Sequence, residues 1–172
     1  MTSDVDLSSG VQEWIRLAGM ELLQGSQADD RRTEIWNEGG ERRYFISAVD
    51  GYFMITSSDR MGDENLHLGA LTMELIEKYL YGHFGNTVRK LRGLPRVQKP
   101  FMRDEISRSY TLGTTAFYDR ERDALIDPAG SMIAIGADDR LVELSHYVDV
   151  PVETIKKSFL DPEGAPLFVD ST

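Results

Sequence analysis

Two apolar runs joined by Asp50-Gly51 constrain the fold of this chain more than any other part of its sequence. Residues 43–49 and 52–57 are rich in aromatic and aliphatic side chains, and Asp-Gly is the dipeptide that a two-residue type I′ turn prefers. We expect the two runs to pair as a hairpin, with Phe45 opposite Ile55. Because bulky side chains occur on both faces of the runs, the hairpin is predicted to lie inside a sheet.

Further strands are indicated on both sides of the hairpin. Short runs of β-forming residues, bounded by glycine-rich or polar turns, predict strands at residues 34–37, 66–68, 109–115 and 131–136. The run at 34–37 returns through Glu38-Gly39-Gly40 into the hairpin, which predicts an antiparallel meander. We expect these strands to form one central antiparallel sheet.

Helical spacing of apolar residues predicts helices around that sheet. The longest covers residues 70–92 and ends at Gly93-Leu94-Pro95. A short N-terminal helix is capped by Ser8 or Ser9, and residues 141–147 and 152–160 form a C-terminal helical pair. The sequence therefore predicts an α+β fold, a central antiparallel sheet packed by one long helix, as a single domain over residues 1–172.

Composition narrows the choice of compartment and partner. There are no cysteines, so neither disulfides nor thiolate metal sites are expected. The N-terminal stretch has no apolar run that would form a signal peptide or a membrane span, which predicts a cytoplasmic protein without a membrane partner. A formal net charge of -10 disfavours nucleic acid as a partner and favours a basic protein surface.

The motifs that carry common enzyme chemistry are absent from the sequence. Neither of the phosphate-binding patterns GxxxxGK[ST] and GxGxxG occurs, and the hydrolase pattern GxSxG is missing as well. His67, His83 and His146 fall on different predicted elements and lack metal-ligand spacing. The acidic clusters at residues 59–64 and 119–123 are predicted to be solvated loops. We therefore expect a non-enzymatic protein that has no cofactor and no metal.

Residues 141–157 leave a DNA-binding alternative open. Their small and apolar residues are spaced as in the helix-turn-helix of bacterial repressors. Asp149, however, stands where the turn usually has glycine, and only Lys156 and Lys157 are available to neutralise phosphate. We interpret the segment as an ordinary helical hairpin, with a helix-turn-helix transcriptional regulator as the alternative.

A set of short motifs between Trp36 and Phe168 resembles one known family. The motifs are ITSSDR at 55–60, EKYL at 77–80, FG at 84–85, GLP at 93–95, SFLDPEG at 158–164 and PLF at 166–168. Together they resemble the actinobacterial immunity proteins that neutralise toxins of the tuberculosis necrotizing toxin type. The resemblance implies a non-enzymatic α+β antitoxin. Its partner would be a cognate toxin, an NAD(P) glycohydrolase, bound one to one with its substrate-binding cleft occluded.

No motif identifies the residues that contact a toxin, so the candidate surface is chosen on physical grounds. The loop that follows the hairpin combines an arginine and a methionine, both frequent at protein interfaces, with three carboxylates that suit a basic partner. The candidate partner-binding residues are Asp59, Arg60, Met61, Asp63 and Glu64.

Overall fold

The computed structural model describes residues 4–60, 62–118 and 120–169. Along the chain the helices and strands are α1 (Ser9–Leu17), β1 (Glu21–Leu23), β2 (Thr33–Trp36), β3 (Arg42–Val49), β4 (Tyr52–Asp59), β5 (Asn65–Ala70), α2 (Met73–Leu91), β6 (Thr111–Phe117), β7 (Arg120–Ile126), β8 (Met132–Gly136), α3 (Asp138–Ser145) and α4 (Val152–Leu160). The predicted α+β class is confirmed, with its central antiparallel sheet, long helix, short N-terminal helix and C-terminal helical pair.

One sheet contains all eight described strands, in the order β1-β2-β3-β4-β5-β8-β7-β6. Every neighbouring pair is antiparallel. The first five strands form one meander, and β6 to β8 form a second meander whose last strand pairs with β5. The backbone N–H of Leu71 extends that junction by donating to the carbonyl oxygen of Ile133 at 3.0 Å.

The β3–β4 hairpin has the turn that its sequence predicts. Both residues of the turn Asp50-Gly51 have positive φ, at 49° and 85°, as a type I′ turn requires. The predicted pairing of Phe45 with Ile55 is wrong by one residue, because the two-residue turn sets Phe45 opposite Thr56 and Ile46 opposite Ile55. That register leaves both isoleucines in the core, where neither is exposed to solvent.

Several element boundaries differ from the sequence-based expectation by a few residues, most clearly the start of the long helix, and two strands were not expected. The long helix starts at Met73, because residues up to Ala70 belong to β5 and Thr72 caps the helix by accepting a hydrogen bond from the N–H of Leu75 at 3.2 Å. Strand β1 was not predicted. Nor was β7, whose charged first half gives no apolar alternation, so the loop expected at residues 119–123 is wrong for residues 120–123. Asp119 lies outside the described residues.

The main core lies between the sheet and the helices. Fully buried side chains of the sheet, including Ile46, Ile55 and Leu68, belong to one apolar cluster with Ile76 and Tyr79 of α2. Burying one such aliphatic side chain stabilises the fold by about 2 kcal/mol. Among the described residues, no helix has both the length and the apolar character needed to cross a bilayer.

The opposite face of the sheet has a small buried patch of its own. Met54, Ala124 and Ile135 are at most 5% exposed, yet none belongs to the cluster beneath the helices. The rings of Tyr52 on β4 and Phe117 on β6 lie only 5.5 Å apart, although three strands separate β4 from β6. The sheet must therefore curl strongly toward this face, which we call the outer face.

Candidate functional site

The β4–β5 loop is held at both ends by ion pairs, one with Arg42 of β3 and one with Arg32, the residue before β2. Asp59, the last residue of β4, accepts a hydrogen bond from the guanidinium of Arg42 at 2.7 Å. Glu64, just before β5, accepts one from Arg32 at 2.6 Å. Two of the three predicted interface carboxylates are therefore already paired within the chain. Met61, also a predicted interface residue, lies outside the described residues.

Glu64 is the better fixed of these two carboxylates. It also accepts a hydrogen bond from the hydroxyl of Thr56 at 2.6 Å. Partial burial by itself raises the pKa of Glu64, but the hydrogen bonds from Arg32 and Thr56 outweigh it, so the pKa lies below its usual value. The guanidinium of Arg32 in turn lies 4.3 Å from the ring centroid of Phe45, as in a cation–π contact. The carboxylate is thus kept ionised in one position on the outer face.

The loop backbone is also constrained. Arg60 has a φ of 48°, and its N–H donates to the carbonyl oxygen of Glu41 at 2.6 Å. The N–H of Gly62 donates back to Asp59 at 2.8 Å, which closes a tight turn. Within residues 4–60, 62–118 and 120–169, the side chains of Arg60 and Asp63 form no ion pair or hydrogen bond. They are the charges that the described part of this loop leaves available.

We define the loop surface as the described charged residues of the β4–β5 loop together with the arginine and the ring that hold Glu64. They are Arg32, Phe45, Asp59, Arg60, Asp63 and Glu64. Phe45 and Thr56 belong to the outer face. Asp59, by contrast, shares the face beneath the helices with Arg42 and Tyr44.

The structure brings the described members of the predicted site together, and it adds Arg32 and Phe45, which sequence reasoning missed. No local signal could have found them, because Arg32 is separated from Glu64 by 32 positions along the chain.

A buried polar cluster lies beneath the loop surface and connects to it through Arg42. The guanidinium of Arg42 donates to the hydroxyl of Tyr44 at 3.2 Å, and that hydroxyl lies 2.8 Å from Nε2 of His83. On the other side, Nε2 of His67 lies 2.7 Å from the hydroxyl of Tyr79. Sequence reasoning kept the two histidines apart, whereas the structure places their ring centroids 4.9 Å from each other.

The two histidines of this cluster have strongly lowered pKa values. Burial is the main reason why the pKa of His67 falls to about 2 and that of His83 to about 3, and nearby cationic groups lower both further. Both rings are therefore neutral near pH 7. In the part of the chain that the structure describes, no group of three or more potential ligands could hold a metal ion.

The helix-turn-helix segment forms a helical hairpin that packs into the core. Leu144 of α3 and Ile155 of α4 are both fully buried, and α4 packs along α2. Ser158 is fully buried as well, and its hydroxyl donates to the carbonyl oxygen of Thr154 at 2.8 Å. The connection at residues 146–151 is longer than the three or four residues of a typical DNA-binding turn. The geometry favours a structural hairpin.

Comparison with known proteins agrees with this architecture over nearly the whole chain. Residues 14–167 match the model of the family described as Immunity protein 61. The chain is 55% identical over 168 residues to "Immunity factor for TNT" of Mycobacterium tuberculosis (strain ATCC 25618 / H37Rv). The identity to "Immunity factor for TNT homolog" of Mycobacterium bovis (strain BCG / Pasteur 1173P2) is the same, and each alignment covers 98% of this chain and 96% of the relative.

The similarity extends to a solved structure. The solved structure of Rv3902c from M. tuberculosis superimposes on this chain with a TM-score of 0.94 at 55% sequence identity. The superposition covers 98% of this chain and 97% of the other. A DNA-binding function finds no support among these relatives, all of which are named for immunity or carry no function in their name. With a family model covering most of the chain and relatives of such high identity, this protein belongs to the Immunity protein 61 family.

Proposed function

We propose that this protein is a non-enzymatic antitoxin that binds a cognate TNT-like toxin one to one and occludes the substrate-binding cleft of that NAD(P) glycohydrolase. The observation that carries the proposal is the 55% identity, over 98% of the chain, to "Immunity factor for TNT". At this identity and coverage, the surface that recognises the toxin is expected to be retained in large part. The proposal includes a single domain over residues 1–172 that acts in the cytoplasm.

The loop surface supports this proposal because its described residues on both sides of Met61 are held by contacts within the chain. Ion pairs fix Asp59 and Glu64, and backbone hydrogen bonds engage the N–H groups of Arg60 and Gly62. A loop held by such contacts loses less conformational entropy on binding, so more of the contact energy is available for affinity. Arg60 and Asp63 then present free charges at its tip.

Charge supports the same partner. The chain has 29 acidic and 19 basic residues, which gives a formal net charge of -10. A cleft that binds a dinucleotide phosphate is expected to be cationic, and complementary charge accelerates association with such a surface. An acidic inhibitor that covers the cleft needs no catalytic residue of its own.

The first experiment tests neutralisation. A purified TNT-like toxin is assayed for NAD hydrolysis with increasing amounts of this protein, and complete inhibition of the cognate toxin is expected at one equivalent. A stoichiometry far from one would contradict the one-to-one complex. Unchanged hydrolysis at excess protein would remove the antitoxin function altogether.

The second experiment tests occlusion separately from neutralisation. If the cleft is covered, NAD and this protein exclude one another. The apparent inhibition constant then rises linearly with the NAD concentration, by a factor of one plus the ratio of that concentration to KM. A non-hydrolysable NAD analogue is expected to slow formation of the complex in the same way. Inhibition that does not depend on the NAD concentration would leave the protein an antitoxin but would rule out occlusion.

A further inference from the structure

Strand β6 is an outer strand of the sheet, and its free edge is uncovered. It pairs with β7 along its full length, from Thr111 opposite Ile126 to Phe117 opposite Arg120. Among the described residues, no backbone hydrogen bond reaches β6 from outside the sheet. Exposure of Thr111, Thr114 and Ala116 to solvent agrees with an open edge.

The backbone groups that point out of this edge follow from the alternation of an antiparallel sheet. The carbonyl oxygen of Ile133 accepts a hydrogen bond from Leu71, on the β5 side of β8. The backbone N–H and C=O groups of the next residue, Ala134, therefore point toward β7, where Ala134 lies opposite Leu125. The backbone groups of Leu125 are thus used by β8, and those of the adjacent residue of β7, Ala124, point toward β6. Continued across the register, the alternation leaves the N–H and C=O groups of Leu112, Thr114 and Ala116 pointing away from the sheet.

This edge lacks the features by which proteins usually prevent strands from pairing. Strand β6 is seven residues long, reads TLGTTAF, and contains no charged residue and no proline. Its register with β7 is continuous, without a bulge. The other outer strand, β1, is three residues long and begins with Glu21. Natural edges are commonly blunted by charge, proline, bulges or short length, and β6 has none of these four features.

The local charge at this edge does not oppose a second copy of this chain. Two copies with a net charge of -10 each repel one another over most of their surfaces. Strand β6 is uncharged, and the first four residues of β7 behind it, Arg120 to Asp123, carry two charges of each sign. Approach along this edge therefore adds no local negative charge.

The strand is also complementary to itself. An antiparallel pairing of two β6 strands about Thr114 sets Leu112 opposite Ala116, Gly113 opposite Thr115 and Thr111 opposite Phe117. Each of these pairs joins a larger side chain to a smaller one, so the two faces of the joined strands pack without steric conflict. The outward-pointing backbone N–H and C=O groups of Leu112, Thr114 and Ala116 then form hydrogen bonds with the same groups of the other copy across a two-fold axis, as an isologous interface requires.

We propose that two copies of this protein associate through β6 to form a two-fold dimer with one continuous sheet. This dimer is independent of the toxin complex. The curl of the sheet brings Phe117 of β6 to the Tyr52 end of β4, but the loop surface follows Asp59 at the other end of that strand, about 23 Å along it. Each copy in the dimer therefore keeps its loop surface, and the dimer binds two toxins.

The test is sedimentation of the purified full-length chain alone over a concentration series. The weight-average mass is expected to rise from 19.4 kDa toward twice that value as concentration increases. Thr114→Lys places a charge at the centre of the edge, beside Asp123 of the same chain, and is expected to weaken the dimer at least tenfold. Thr87→Lys, at an exposed position on α2, makes the same chemical change away from the edge and is expected to leave the dimer intact.

A second measurement identifies the interface. Amide hydrogen exchange is expected to show slow exchange for Leu112, Thr114 and Ala116 at high concentration and fast exchange in Thr114→Lys, with circular dichroism confirming that the variant is folded. A chain that stays monomeric up to about millimolar concentration would overturn the proposal. So would a dimer unaffected by Thr114→Lys, or a monomer in which Thr114→Lys weakens toxin binding, because the edge would then belong to the toxin.

Discussion

Gly85 of α2 lies directly against the ring of Phe159 of α4. A Cβ at Gly85 would lie 2.3 Å from Cε1 of that ring, far inside van der Waals contact. Glycine inside a helix costs about 1 kcal/mol relative to alanine, so this position gives up helix propensity in order to bring two helices together. The sequence motif FG at 84–85 is therefore a packing feature of the α2–α4 contact.

Substitution of Gly85 by alanine tests that contact. Gly85→Ala is expected to destabilise the protein by about 1–3 kcal/mol, because overpacking of a dense core outweighs the gain in helix propensity. Thr87→Ala, two residues along on the exposed side of the same helix, serves as the control and should change stability by less than about 0.5 kcal/mol. The measurement is urea unfolding. A Gly85→Ala variant as stable as the native chain would show that α4 shifts to make room.

Arg89 is predicted to be the most damaging arginine to remove. Its side chain is 1% exposed, and it donates four hydrogen bonds, all to backbone carbonyls, namely those of Pro95, Phe159, Asp161 and Pro162. Arg89→Met leaves these acceptors without a partner and should destabilise the chain by about 3 kcal/mol or more.

Two further variants make the Arg89 prediction specific. Arg89→Lys retains the charge but has too few donors, so its free energy of unfolding is expected to lie between those of the native chain and Arg89→Met. Arg92→Met removes an exposed arginine three residues along and is expected to be nearly neutral. Equal effects of Arg89→Met and Arg92→Met would contradict a structural role for the buried guanidinium.

The free energy of unfolding is predicted to decrease as the pH drops below about 6.5. His67 is 3% exposed, and its pKa of about 2 in the folded chain lies far below the value of 6.5 that an unfolded histidine has. The unfolded chain therefore binds more protons below pH 6.5, and the stability present above that pH is lost as the pH decreases. Each such histidine contributes a slope of about 1.4 kcal/mol per pH unit.

The variant His67→Gln isolates this contribution. Glutamine still offers a hydrogen bond to Tyr79 but does not titrate, so the loss of stability between pH 6.5 and pH 5 should be shallower than in the native chain. Carboxylates with lowered pKa, such as Glu64, lose their contribution only below their unfolded value of 4.5, outside this window. Urea unfolding at pH 7.5, 6.5 and 5 makes the comparison, and identical slopes would refute the assignment.

Charge reversal at the loop surface is predicted to weaken toxin binding. Asp63→Lys changes a free carboxylate at the loop tip and is expected to raise the dissociation constant at least tenfold, mainly through faster dissociation. Glu13→Lys, an exposed position on α1, changes the net charge by the same amount and is the matched control. Calorimetry or surface plasmon resonance with the toxin provides the measurement. Equal effects of the two variants on the dissociation constant would show that the interface lies outside this loop.

The elements predicted well from sequence are those formed by local interactions. The hairpin turn at Asp50-Gly51 needs two positive φ angles, which that dipeptide adopts readily. Helix α4 covers Val152–Leu160 as predicted, because its apolar positions recur with helical spacing. By contrast, β7 was missed because strand pairing with β6 and β8, rather than its own pattern, orders the charged residues 120–123.

The candidate site was predictable only in part for a similar reason. The sequence identified the loop that contains Asp59 and Glu64, since loop position and charge are local properties. It did not reveal that Arg42 and Arg32 pair with them, because those contacts span 17 and 32 positions along the chain. As a result, Arg60 and Asp63 emerge as the free charges only in the structure.

The sequence by itself determined the α+β class, the central hairpin, the long helix and the family resemblance. Backbone turn chemistry and the periodicity of apolar residues require no knowledge of distant partners. Only the tertiary structure decided that β8 joins β5, that β6 is left as an uncovered edge, and that Arg89 is buried among carbonyls about 70 residues away. Backbone groups recur identically at almost every position, so the partners of a strand edge or a buried arginine are selected by the packing of the whole chain.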